Sequence, residues 1–95
     1  MITRIVKMSF STDKTIEFIE LFHSVKHKIV QFPGCKGVDL LRDVNNPAVF
    51  FTYSKWESIN DLENYRHSEL FKTTWFKTKQ LFNDKAEAWS LMNEN

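Results

Sequence analysis

The most constraining feature of this chain is residues 48–56, AVFFTYSKW, which carry bulky apolar side chains on both faces of an extended strand. Because side chains alternate along a strand, Phe51 and Tyr53 point to one side while Phe50 and Trp56 point to the other. An antiparallel strand with one solvated face instead alternates apolar with polar residues. Residues 48–56 therefore predict a strand that is covered on both sides.

Alternation of apolar and polar residues predicts four strands in all. They occupy residues 2–10, 37–43, 48–56 and 85–93. The second and third are separated by residues 44–47, VNNP, a turn-forming cluster short enough for a β-hairpin.

The first helical region is predicted over residues 13–31, where the apolar residues recur at helical spacing. The stripe comprises Phe18, Ile19, Phe22, Val25, Ile29 and Val30. Ser11, Thr12 and Asp13 precede it with side chains that can accept hydrogen bonds from the free amides of a first turn. Residues 32–34, FPG, end the helix.

The second helical region begins at Ser58, with Asp61 in a position like that of a capping box. Ser68 and Glu69 restart the same pattern, and apolar residues then recur at helical spacing. The acidic residues lie where the positive end of a helix dipole favours them.

The resulting order is β-α-β-β-α-β, which is an α+β ferredoxin-like fold with one antiparallel sheet and helices on one face. Ninety-five residues form a single domain, 1–95, since a chain this short buries only roughly 60–65% of its unfolded surface. The helices cover one face of the third strand. A second copy of the chain is expected to cover the other, so we predict a homodimer.

Composition excludes several classes of partner. Thirteen basic residues against twelve acidic ones leave a net charge of +1, so no broad field attracts nucleic acid. The longest strictly apolar run is residues 48–51, whereas a membrane span needs about 20 residues. The N-terminal MITRIVKMSF lacks the unbroken apolar core of a signal peptide, so a cytoplasmic protein without membrane partners is expected.

Three segments carry a family resemblance. They are FPGCKG at residues 32–37, YSKWES at 53–58 and DLENYRHSELF at 61–71. The strand-end Trp56 is followed by Ser58 and later by Ser68 and Phe71, where members of one family often carry W-x-S and then H-x-x-S-x-x-F. Along nearly its whole length the chain resembles the antibiotic biosynthesis monooxygenase domain family of dimeric α+β barrels.

The resemblance implies several activities. The family includes cofactor-independent oxygenases of quinol-like or polycyclic aromatics, heme-degrading monooxygenases, and members without a known activity. Many members have a histidine nine residues after the strand-end tryptophan, where this chain has Tyr65. In heme-degrading relatives a histidine stands where this chain has Trp75, and an asparagine projects from the first strand, which has none here.

Tyr65, His67 and His23 are the candidate catalytic residues. The Tyr65 hydroxyl can hydrogen-bond a phenolic substrate, or it is simply the solvated hydroxyl of an aromatic at a helix end. His67 has the pKa range of a general base, and the alternative, which the pattern favours, is an exposed histidine at a helix junction. His23 lies at the edge of the apolar stripe, where it can line a pocket.

An aromatic ligand pocket is predicted between sheet and helices, and the alternative is that the same rings form an ordinary core. The candidate pocket residues are Phe51, Tyr53, Trp75 and Trp89. His23 and His27 have helical metal-ligand spacing, but the intervening SVK lacks the glutamate of HExxH and no third ligand is indicated. We predict no metal and no cofactor.

The single cysteine, Cys35, cannot form an intramolecular disulfide, and its role stays open. The leading functional hypothesis is a cofactor-independent monooxygenase that oxidises a small electron-rich aromatic with dioxygen. The second is a non-catalytic dimeric module that binds a ligand or partner. A heme-binding or heme-degrading relative is the third.

Overall fold

The computed structural model describes every residue, Met1–Asn95. Its elements are β1 (Ile2–Ser9), a 3-10 turn (Thr12–Lys14), α1 (Thr15–Val30), β2 (Cys35–Arg42), β3 (Val49–Trp56), α2 (Ile59–Arg66), α3 (Glu69–Lys79) and β4 (Glu87–Met92). The second helical region is divided into α2 and α3, as its two serine caps predict. None of the helices combines the length and apolarity that crossing a bilayer requires.

The four strands form one sheet in the order β2-β3-β1-β4. Every neighbouring pair is antiparallel, and Tyr53 at the centre of β3 stands opposite Ile5 in β1 and Asp39 in β2. Trp89 of β4 stands opposite Ile5 on the other side of β1. The predicted ferredoxin-like β-α-β-β-α-β fold is confirmed.

The helix starts show which capping predictions hold. The Ser58 hydroxyl accepts a hydrogen bond from the Asp61 amide at 3.1 Å, and the Ser68 hydroxyl accepts one from the Phe71 amide at 3.1 Å. At the first helix the expected side-chain cap is absent. The 3-10 turn satisfies one backbone amide there instead, since the Lys14 N–H donates a hydrogen bond to the Ser11 carbonyl at 2.8 Å.

The core lies between the helices and one face of the sheet, which we call the inner face. Phe10, Phe50 and Phe18 pack there, with the rings of Phe10 and Phe18 stacked at 4.2 Å between centroids. Phe22 and Ile29 of the predicted α1 stripe are also buried. Val30 is 41% exposed, because the helix ends at this residue and its side chain leaves the stripe.

The opposite face of the sheet, which we call the outer face, has no element packed on it. Strand alternation places six apolar side chains there: Ile5, Leu41, Phe51, Tyr53, Trp89 and Leu91. All six residues of β4 are exposed, including 42% of Trp89 and 47% of Leu91. The chain itself therefore covers only one face of β3.

The corner between α1 and β2 depends on Gly34, whose φ is +86°. Its carbonyl accepts a hydrogen bond from the Glu57 amide at 2.8 Å, which ties this corner to the end of β3. A Cβ at position 34 would collide with the side chain of Asp61. Only glycine satisfies both the backbone conformation and the close approach of α2.

We expect Gly34→Ala to lower the free energy of unfolding by roughly 1–3 kcal/mol, because it adds left-handed strain and displaces Asp61. Gly37→Ala is the matched control, since Gly37 also has a positive φ, +146°, but no atom within 4 Å of an added Cβ. Urea unfolding followed by tryptophan fluorescence measures both. Equal losses in the two variants would contradict a role for the Asp61 contact.

Candidate functional site

An apolar cavity of about 310 Å³ lies between the inner face of the sheet and the helices. We call it the aromatic cavity. Its aromatic walls are Phe18, Phe22, Trp56, Tyr65, Phe71 and Trp75. Aliphatic side chains such as Val6, Val25 and Ile29 complete the lining, so the cavity suits a flat apolar ligand.

One wall of the cavity is a continuous row of stacked and edge-to-face rings. Trp56 stacks on Tyr65 with 4.9 Å between centroids and 26° between planes. Tyr65 meets Phe71 edge to face at 5.3 Å, and Phe71 stacks on Trp75 at 5.9 Å. Helices α2 and α3 supply three of these rings and the end of β3 supplies the fourth, so the row joins three elements.

Trp56 is fully buried at the start of this row. Its indole N–H donates to the Ser54 hydroxyl at 3.0 Å, and that hydroxyl in turn donates to the Arg4 carbonyl at 3.5 Å. The indole nitrogen therefore has a partner inside the protein. Trp56 presents only its ring face to the cavity region, which makes its role structural.

Tyr65 is the ionisable aromatic residue on the cavity. Burial, with a smaller contribution from the Cys35 thiol, raises the pKa of Tyr65 above the ordinary tyrosine value. Its hydroxyl therefore stays protonated near neutral pH. Such a neutral phenol can donate a hydrogen bond to a ligand oxygen but is a poor source of tyrosinate.

Two arginines also border the aromatic cavity. Arg4 projects from β1 and donates to the Ser90 hydroxyl at 2.8 Å. Arg66 ends α2 and pairs with Glu63 at 3.0 Å through one terminal nitrogen. Burial, and then the nearby charge of Arg66, lower the pKa of Arg4. The two guanidinium groups are thus close enough to repel each other.

The Nε of Arg66 is buried and has no hydrogen-bond partner within the protein. An unpartnered buried donor costs about 1–3 kcal/mol, so native structures rarely keep one without a use. Arg66, which lines the cavity, therefore keeps one buried donor that the protein itself does not satisfy.

The sequence model of one family, described as antibiotic biosynthesis monooxygenase, matches residues 1–75. The chain belongs to this family. No curated protein matches the sequence at a significant level.

Solved structures agree with this family assignment at the level of the fold. A candidate antibiotic biosynthesis monooxygenase from Nitrosomonas europaea superposes with a TM-score of 0.91 at 20% identity, covering 100% of both chains. A conserved protein from Methanosarcina mazei Go1 gives a TM-score of 0.92 at 19% identity, covering 99% of this chain and 94% of that one. A candidate family enzyme from Deinococcus radiodurans gives 0.90 at 14% identity, covering 100% and 94%.

In this monooxygenase-family chain the predicted pocket residues fall on two different faces. Trp75 lines the aromatic cavity together with Tyr65. Phe51, Tyr53 and Trp89 lie instead on the outer face of the sheet and do not border the cavity. The reason is the period of two along a strand, which separates Tyr53 from its cavity-lining neighbours Thr52 and Ser54.

The structure places both candidate catalytic histidines outside the cavity lining. The side chain of His67 is 76% exposed, and its Nδ1 lies 2.7 Å from the Glu63 carbonyl oxygen. His23 is exposed on α1 beside the ring of Phe22. The structure therefore brings Tyr65 and Trp75 together but leaves both imidazoles at the surface.

Sequence reasoning left Arg4 and Arg66 out of the predicted site, and it also left out the cavity-lining Phe18, Phe22 and Phe71. Arg4 carried a detectable signal, because alternation puts it on the same face of β1 as Val6 and Met8, which predict burial. The sequence gives no such signal for Arg66, because a basic residue in the last turn of a helix is common.

Metal-ligating clusters are not found in this fold. No three or more His, Cys, Asp or Glu side chains gather in a way that could hold a metal ion. Cys35 is half-buried, burial raises the pKa of its thiol, and its Sγ lies 3.8 Å from the Gly37 carbonyl. This environment is that of an unreactive thiol.

Tyr65 should make stability fall at alkaline pH. The folded protein keeps the Tyr65 proton where an unfolded chain, with a tyrosine pKa of about 10, releases it. The free energy of unfolding should therefore decrease above about pH 10, by up to about 1.4 kcal/mol per pH unit from this residue.

Tyr65→Phe removes the titrating hydroxyl and keeps the ring. The free energy of unfolding of this variant should therefore fall less steeply above about pH 10. Urea unfolding at a series of alkaline pH values measures both slopes. Cys35 is present in both proteins, so its own titration cancels in the comparison. Identical slopes would show that Tyr65 ionises in the folded state as readily as in the unfolded one.

Proposed function

We propose that this protein is a monooxygenase that oxidises a small electron-rich aromatic with dioxygen, without a metal or organic cofactor. The observation that carries the proposal is the aromatic cavity with Tyr65, whose phenol stays protonated, among its lining residues. Membership of the antibiotic biosynthesis monooxygenase family supports the reaction class. We place the protein in the cytoplasm, where an unpaired thiol such as Cys35 persists.

The size of the cavity limits the substrate. About 310 Å³ is at the lower end of small-molecule pockets, which span roughly 300–1,000 Å³. It is also larger than the cavity of roughly 150 Å³ that holds a single benzene. The proposal therefore favours a substrate of about two fused rings, bound flat along the wall formed by Tyr65, Phe71 and Trp75.

The proposed chemistry uses the substrate's own electrons. An ionised hydroquinone or activated ring carbon transfers one electron to dioxygen, and the resulting radical pair combines as a peroxide at that carbon. The peroxide anion takes back the proton that the substrate lost, and elimination of water with the hydrogen on that carbon leaves a carbonyl, so one oxygen atom enters the product and the other becomes water. Tyr65 donates a hydrogen bond to the substrate oxygen and fixes the ring in the cavity.

The positions of the histidines favour a second candidate function, a non-catalytic dimeric binding module. Neither His67 nor His23 borders the cavity, so no imidazole is placed there as a general base. A cavity that binds an aromatic without ionising it would need only the walls and the Tyr65 hydroxyl. The heme alternative gains no support, because no histidine is available there as a proximal ligand.

Oxygen uptake separates these functions. Metal-stripped protein is supplied with a panel of bicyclic hydroquinones and phenols, and dioxygen consumption is recorded together with product formation. Tyr65→Phe should lower kcat/KM by roughly ten- to hundredfold, because it removes one hydrogen bond to a developing oxyanion. Tyr53→Phe is the matched control, since it makes the same change on the outer face.

Three outcomes of this experiment decide between the functions. Uptake that falls in Tyr65→Phe and persists in Tyr53→Phe supports the oxygenase. Loss of oxygen uptake in His67→Ala would identify the exposed His67 as the general base. Ligand binding without any uptake would establish the binding module.

We also propose that the protein is a homodimer joined through the outer face. That face carries six apolar side chains on a sheet that no other element covers. Its charged residues are balanced, Lys7 and Lys55 against Asp39 and Glu87, which suits a surface that packs against a copy of itself. A neutral, self-complementary apolar patch favours a two-fold dimer over an acidic or basic partner.

Trp89→Glu should shift the dimer toward monomer, because it places a charge in the apolar face. Ile16→Glu is the matched control, since Ile16 is 70% exposed on α1 and away from the outer face. Sedimentation velocity at micromolar concentration measures both. A folded wild-type monomer at that concentration would refute the dimer.

A further inference from the structure

We infer that Arg4 and Arg66 form a carboxylate-binding subsite at the aromatic cavity, so that the ligand is an aromatic acid. The inference rests on the proposed function for what the ligand undergoes, and it adds the charged group that the ligand carries. Both arginines border the cavity, one from β1 and the other from the end of α2.

The protein leaves these two guanidinium groups incompletely satisfied. Arg4 makes a single hydrogen bond with a side chain, that to the Ser90 hydroxyl, a neutral partner. Arg66 uses one terminal nitrogen on Glu63, while its buried Nε has no partner within the protein. Burial and then the charge of Arg66 lower the pKa of Arg4, while Glu63 opposes them, so the charges of Arg66 and Glu63 both act on Arg4.

The acidic residues nearby do not neutralise the pair. Glu63 is committed to Arg66 at 3.0 Å and lies 3.9 Å from His67. Glu87 is also a lining residue, but it stands opposite Lys7 in the register of β1 and β4, and alternation assigns both side chains to the outer face. Two positive groups against the one carboxylate of Glu63 leave a net positive charge beside Tyr65.

A carboxylate fits this arrangement better than other ligand groups. A guanidinium presents planar, paired donors that match the two oxygens of a carboxylate, and charge-assisted hydrogen bonds are the strong ones. The apolar walls take the aromatic ring, while a single charged group is held at the arginines. A wholly apolar ligand would leave the Arg66 Nε unpartnered and the two charges facing each other.

Calorimetric titration with naphthoate and with naphthamide tests the inference on the full-length protein. The two probes share a ring system and differ in charge. Naphthoate should bind about tenfold more tightly than naphthamide, and Arg66→Gln and Arg4→Gln should each remove most of that preference. The affinity for naphthamide should change less than the affinity for naphthoate in either variant.

Arg42→Gln is the matched control, because Arg42 is an exposed arginine that does not border the cavity. It should keep the preference for naphthoate. Should a cavity variant fail to fold, the wild-type comparison still decides, since added salt must weaken naphthoate binding and spare naphthamide.

Equal affinity of the wild-type protein for the two probes would overturn the subsite. So would failure to bind naphthoate, or an equal loss of preference in Arg42→Gln. The proposed function fails differently: charge-selective binding with no oxygen uptake across carboxylated hydroquinones keeps the subsite and eliminates the oxygenase.

Discussion

The contact between Trp56 and Tyr65 is the one on which the rest of the site depends. Trp56 is fully buried where β3 ends, and its ring stacks on Tyr65 at 4.9 Å. Burying an aromatic side chain of this size contributes roughly 4 kcal/mol on area grounds, which exceeds any single polar contact nearby. The stack fixes α2 against the sheet, and the position of α2 in turn places Tyr65 and Arg66 at the cavity.

Strand β3 links the two surfaces that matter for function. Its alternate residues Thr52, Ser54 and Trp56 line the cavity, while Phe51 and Tyr53 between them lie on the outer face. A substitution on one face changes the packing of a strand that also forms the floor of the other. The cavity and the proposed dimer surface therefore share this one strand.

Much of the fold could be predicted because hydrophobic period and capping chemistry are local properties. The four strands and their places along the chain followed from alternation, and Ser58 and Ser68 each cap a helix as their sequence context predicts. The predicted side-chain cap of the first helix was wrong, because a 3-10 turn over Thr12–Lys14 precedes α1 and places Lys14 at the N-cap position. The homodimer and the single domain stay predictions, since the structure of one copy of the chain tests neither of them.

The site was harder to predict because a side chain's face depends on register, which composition does not reveal. Trp75 and Tyr65 meet on one wall, while the equally aromatic Tyr53 and Trp89 are turned away by the pleat of the sheet. Arg4 shows the same principle in reverse. A charged side chain lowers folding stability when its neighbours along the strand are buried. A chain that keeps such a residue indicates a functional role for it.

The polarity of the cavity follows from these constraints taken together. A protein that needed only a packed interior would place aliphatic residues at positions 4 and 66, because burying part of a guanidinium costs stability. This chain instead keeps two arginines against an aromatic wall, with Tyr65 held neutral beside them by its burial. Neutral donor, positive pair and flat walls together support the proposed ligand, a planar ring that bears both a hydroxyl and an acid group.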